Sequence, residues 1–124
     1  MPTLLTEIST VRVFTPDLPR SIAFYRDVLE LRLQFEGPGY AGFATGQATL
    51  LLEATDPDDA DEPFVARFLG VSFTAPDVAD TYRTLSARGV EFLNPPEAQA
   101  WGGVLAHFRD PAGNVLTAVQ YPAR

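Results

Sequence analysis

Cysteine is absent from the 124 residues, which excludes a disulfide framework, a thiolate zinc site and a cysteine nucleophile. A chain without thiols suits a reducing compartment, and the expected location is the cytoplasm. Basic residues are few: nine Lys and Arg stand against 16 Asp and Glu, for a formal net charge of −7. The nine are scattered, so no basic face is available for a phosphate backbone, and nucleic acid is not an expected partner. Long apolar runs are missing as well. Ala48–Leu52 is far shorter than the roughly 20 residues a bilayer span requires, and no basic region followed by an apolar run opens the chain. The expectation is a soluble, unsecreted protein with no membrane partner.

What is present is an apolar content of 46%, enough for one core in one domain of this length. The chain also echoes itself. Val13-Phe14-Thr15-Pro16-Asp17-Leu18 returns as Ser72-Phe73-Thr74-Ala75-Pro76-Asp77-Val78 about sixty residues further on, the mark of a repeated supersecondary unit. In each copy an apolar strand ends at Pro-Asp, the Asp is placed to N-cap the next segment, and helical spacing follows. Ile22, Tyr25, Val28 and Leu29 share one helix face in the first copy; Val78, Tyr82 and Leu85 share one in the second. Gly89 after Arg88 reads as a left-handed helix end.

Strands are then predicted over Leu31–Phe35, Tyr40–Ala44 and Ala48–Glu53 in the first copy, and over Val90–Phe92, Val104–Arg109 and Val115–Tyr121 in the second. Turns at Gly37-Pro38-Gly39, Thr45-Gly46-Gln47, Asn94-Pro95-Pro96 and Asp110-Pro111-Ala112-Gly113-Asn114 separate them. Between the copies, Asp56 to Pro63 is acidic, carries two prolines and lacks apolar periodicity. It reads as a solvated linker rather than a calcium loop, because no glycine or closing bidentate Glu has the spacing an EF-hand needs. The fold expected is α+β: a single domain over 1–124, with module one at about 7–54, the linker at about 55–68 and module two at about 69–121.

Ser21-Ile22-Ala23-Phe24-Tyr25-Arg26-Asp27-Val28-Leu29 after the first Pro-Asp, and Phe108-Arg109-Asp110-Pro111-Ala112-Gly113-Asn114 near the end, resemble the vicinal oxygen chelate superfamily of glyoxalases, extradiol dioxygenases and bleomycin-resistance proteins. The likeness runs from Ile8 to Tyr121. It implies two tandem β-α-β-β-β modules forming an open, cupped mixed sheet with helices outside and a small-molecule ligand inside, and a homodimer as partner state. Metal-dependent relatives use four ligands, a His or Gln on the first strand of each module and a Glu on the last. Carried over by position, these fall on Thr10, Gly70, Glu53 and Thr117, so a single usable donor survives. A firm divalent site needs about three or four donors, and neither a metal nor another cofactor is expected. Glu53 with His107, the one histidine, would supply only two.

From the same positions, strand alternation points Thr10, Arg12, Phe14, Thr49, Leu51 and Glu53 into the cup from module one. Gly70, Ser72, Thr74, Leu105, His107, Val115, Thr117 and Val119 point there from module two, with Trp101 at the mouth of the Val104 strand. Val11, Val13, Val71, Phe73, Leu116 and Ala118 form the opposite, helix-covered face. A pocket of mixed charge and apolar wall suits an aromatic or amphiphilic ligand, with Thr10, Phe14, Leu51, Ser72, Trp101, Leu105, Thr117 and Val119 as binding residues. Whether the chain is an enzyme stays open at this point. The leading expectation is a metal-independent binding protein. The alternative is a lyase or isomerase acting beside a carbonyl, with Glu53 or His107 as base and Arg12 stabilising an enolate; a glyoxalase- or dioxygenase-type metal enzyme stands third. Arg12 and Glu53 also admit a plain reading as a buried ion pair.

Overall fold

A computed structural model describes residues 4–123. The backbone divides into two compact units with the boundary between Glu62 and Pro63, and each carries one mixed four-stranded sheet.

The first unit runs β1 (Thr10–Thr15), α1 (Leu18–Ala23), a π-helical turn (Phe24–Val28), β2 (Arg32–Gly37), β3 (Tyr40–Thr45) and β4 (Ala48–Ala54), in the sheet order β1-β4-β3-β2. Only the β1–β4 pair is parallel. The helix starts where the strand's last residue and the cap meet. Asp17 accepts the Arg20 N–H, while the buried Thr15 hydroxyl accepts from the Asp17 N–H and the Ser21 hydroxyl. The π turn, closed by Leu29 N–H on the Phe24 carbonyl, was not foreseen in the sequence. Its Tyr25 is fully buried, with its ring against Phe43. Val13, Leu50, Leu52, Ala41 and Phe43 complete the buried side of this sheet.

The second unit repeats the order as β5 (Phe68–Thr74), α2 (Val78–Ala87), β6 (Glu97–Ala98), β7 (Val104–Arg109) and β8 (Val115–Gln120), with sheet order β5-β8-β7-β6 and a parallel β5–β8 pair. Asp77 caps α2 by accepting the Asp80 N–H, and Gly89 (φ 89°) ends it in the left-handed region, with Val90 N–H bonded to the Leu85 carbonyl. Val78 and Leu85 are buried, and Tyr82 packs edge-on against Phe92.

One sequence expectation needs correction. Val90–Phe92 does not form a regular strand: Phe92 makes a single bridge to Phe108, and the edge is taken up further on by β6. Pro95 and Pro96 have no N–H to donate, so the ladder cannot run through them. The Asn94 side chain stands in for the lost backbone by accepting the His107 N–H. β5 begins at Phe68, and just before it Ala66 N–H is bonded to Asn114 Oδ1.

That bond belongs to a buried staple. Asp110 Oδ1 accepts from the Ala112 and Asn114 N–H groups, and Asn114 Nδ2 donates to Asp110 Oδ2. Gly113 turns the chain at φ 87°, where a Cβ would also stand 3.2 Å from that of Ala66. Gly113→Ala is therefore expected to cost about 1–2 kcal/mol of stability, read as a lower midpoint in thermal unfolding.

Candidate functional site: the open sheet faces

One face of each sheet carries the helix-side core; the other carries the chemistry. In the first sheet, register puts Thr10, Arg12 and Phe14 of β1 beside Thr49, Leu51 and Glu53 of β4, so the sequence-predicted residues of module one share one face. On this face Arg12 Nε donates to Glu53 Oε2 at 2.8 Å, and the guanidinium lies 5.2 Å from the centre of the Phe14 ring. The pair forms, but it is not the buried ion pair that the sequence allowed: the side chains are 60% and 26% exposed. An exposed pair of this kind contributes little to stability, so its geometry matters more for what meets it than for holding the fold.

Two aromatic rings on this face were not anticipated. Register shifts between Leu33 and Phe35, leaving Gln34 as a bulge and placing Phe35 opposite Gly42. The Phe35 ring occupies the space that a Cβ on Gly42 would take, and the Tyr40 ring does the same over Gly37. The two rings are 6.1 Å apart and 45% and 40% exposed. The first open face is thus a floor of Leu51 and glycine backbone, with Phe35 and Tyr40 on one side and the Phe14, Arg12 and Glu53 group on the other.

In the second sheet His107 is opposite Thr117, Leu105 is opposite Val119, and Ser72 pairs with Thr117, which gathers the module-two residues on one face. His107 Nδ1 and Thr117 Oγ1 are 2.8 Å apart, and the imidazole meets Phe68 edge to face at 5.7 Å. Phe68 shares this face with Gly70 and Ser72, although four residues of β5 span two of β8 here, an irregularity that Gly70 accommodates at φ 69°. Thr117 and Val119 are buried in the central strand, whereas Ser72 and Thr74 are exposed on the edge. Trp101 does more than plug the strand mouth. Its ring lies over Gly103, 5.9 Å from Tyr121, and it is 51% exposed.

The donor set does not fit the divalent cation of metal-dependent relatives. Thr10 is exposed beside Ser9, Gly70 has no side chain, Thr117 is bonded to His107, and the Glu53 carboxylate is in contact with Arg12. Among the described residues no group of three or more His, Cys, Asp or Glu is placed to hold a metal. No helix among them is long and apolar enough to cross a membrane. A cavity of about 440 Å³ lies off these faces, lined by Leu18, Pro19, Ile22, Arg26, Glu36 and Gly37. Its cation is committed, since Arg26 Nε and Nη2 both donate to Asp27, a pairing that holds the Asp27 carboxyl below its ordinary pKa. We therefore centre the candidate site on the open faces and not on this cavity.

Known proteins agree on the fold. Uncharacterized protein YraH of Bacillus subtilis (strain 168) is 28% identical over 118 residues, covering 86% of this chain and 91% of its own. The crystal structure of TnmS3, an antibiotic binding protein from Streptomyces sp. CB03234, superposes with a TM-score of 0.79 at 25% identity, over 98% of this chain and all of that one (100%). Lactoylglutathione lyase from Agrobacterium tumefaciens superposes with a TM-score of 0.75, also at 25% identity, over 95% and 96% of the two chains. The sequence model of the Glyoxalase/Bleomycin resistance protein/Dioxygenase superfamily matches residues 7–117, and the chain belongs to that superfamily.

Proposed function

We propose that the chain is a metal-independent small-molecule-binding protein that takes an aromatic or amphiphilic ligand on an open sheet face. One observation carries the reading: the Phe35, Tyr40 and Trp101 rings cover glycines and are left 45%, 40% and 51% exposed. A large ring normally buries most of its area in the core. Rings held over a sheet face, at the cost of leaving apolar surface in water, are platforms for another apolar group. Antibiotic binding by the similarly folded TnmS3 supports the same class of function. The carbonyl-chemistry alternative gains less support, because Glu53 Oε2 is engaged by Arg12 and His107 Nδ1 by Thr117, leaving Glu53 Oε1 and His107 Nε2 as the basic atoms to consider.

A neutral fused-ring probe, anthracene-2-carboxamide, tests the proposal through its own fluorescence anisotropy. Saturable binding is expected at one site per chain, unchanged by EDTA, with affinity falling about tenfold in Phe35→Ala as one aromatic contact is lost. Binding that requires an added divalent cation, or no binding up to the solubility limit, would overturn it.

A further inference from the structure

Arg12 differs from Arg26 and Arg109 in how much of its guanidinium is spoken for. Arg26 spends Nε and Nη2 on Asp27, and Arg109 spends Nε on Glu91 and Nη1 on the Gly113 carbonyl. Arg12 spends Nε alone, on Glu53, and no bond to either Nη group is found among the described residues. Its side chain is nonetheless held, by the carboxylate at one edge and by the Phe14 ring beneath its plane. A guanidinium fixed through Nε presents the outer Nη1 and Nη2 donors as a fork, the geometry that takes a carboxylate through two parallel hydrogen bonds. The fork opens onto the same sheet face as the rings: Arg12 is opposite Leu51, Leu51 is opposite Gly42, and the Phe35 ring covers Gly42.

From this arrangement we infer that the ligand is an aromatic anion, a planar ring system bearing a carboxylate, whose ring packs on Leu51 and Phe35 while its carboxylate is received by the Nη fork of Arg12. Glu53 is then a positioning residue. It neutralises and aims Arg12 without touching the ligand's anion, which explains why a carboxylate sits beside a proposed anion site. The inference rests on the aromatic-binding reading above and adds the charge of the ligand to it.

The test compares anthracene-2-carboxylate with anthracene-2-carboxamide, two probes of one ring system and nearly one shape, by anisotropy at low and high salt. In the native chain the carboxylate is expected to bind about tenfold tighter at low salt, a margin that narrows as salt rises. Arg12→Met should bring the carboxylate down to the level of the amide. Arg12→Lys should recover only part of the margin, because an ammonium keeps the charge and loses the fork. Glu53→Gln should reduce the carboxylate preference without raising amide affinity; a merely repulsive Glu53 would instead give a tighter carboxylate complex. Equal affinities for the two probes in the native chain, or a margin that survives Arg12→Met, would overturn the anion assignment while leaving aromatic binding in place. Failure of both probes to bind would overturn the assignment and the aromatic-binding reading together.

Discussion

Asn114→Ala is expected to cost about 3 kcal/mol of stability, the loss of a fully buried polar hub rather than of a turn residue. Asn114 joins three pieces of chain. Its Oδ1 accepts the Ala66 N–H that leads into β5, its Nδ2 donates to Asp110, and its own N–H returns to Asp110 Oδ1. Truncation removes the acceptor from the Ala66 N–H and one of the donors from a buried carboxylate, and it leaves a small void. Urea titration reads the change as a lower midpoint at unchanged slope. Asn114→Asp, nearly the same in shape, replaces the Nδ2 donor with an oxygen facing the Asp110 carboxylate, so it should destabilise as well. A loss below about 1 kcal/mol in Asn114→Ala would mean that water replaces these bonds freely and that the staple does not hold β5 in place.

The same staple shows where sequence reasoning reaches its limit. Asp110-Pro111-Ala112-Gly113-Asn114 is legible as a turn because Pro and Gly have fixed local consequences, and Asp17 and Asp77 are legible as caps for the same reason. The repeated strand, Pro-Asp and helix order is local too, and both sheets follow from it. What the turn's polar side chains bond to is not local. Asn114 reaches Ala66, 48 residues away, across what composition presents as linker. Register irregularities are hidden in a similar way. Simple alternation from Leu33 puts Phe35 on the helix side, but the bulge at Gln34 turns it to the open face. Phe68 is missed because the acidic, proline-bearing stretch before it masks the start of a strand. The shared face of Arg12, Phe14, Leu51 and Glu53 was legible because β1 and β4 run without irregularity, with all six β1 residues in register. The missed signal was available: Gly37, Gly39 and Gly42 surround Tyr40, and glycine inside a strand often marks a close approach by another group.

Gly42→Ala puts that reasoning to its strongest functional test. A Cβ at position 42 would stand inside the Phe35 ring, so the ring must leave the sheet face. Phe35 lies on edge strand β2 and is 45% exposed, so it has room to swing outward, and glycine's backbone freedom in the unfolded chain offsets part of the packing lost. The stability change is expected to stay within about 1 kcal/mol. The binding change is expected to be larger, about tenfold for anthracene-2-carboxamide, because the platform has been displaced without removing any side chain that touches the ligand. A double-mutant cycle isolates the cause: in a Phe35→Ala background, Gly42→Ala should have little further effect, since no ring remains to be displaced. Additive losses in the cycle would show that the alanine methyl itself blocks the ligand, and that the floor of the site is the glycine backbone rather than the ring above it. An unchanged affinity in Gly42→Ala would place the ligand away from Phe35 altogether and move the search to Trp101 and Tyr121, the aromatic pair on the open face of the second sheet.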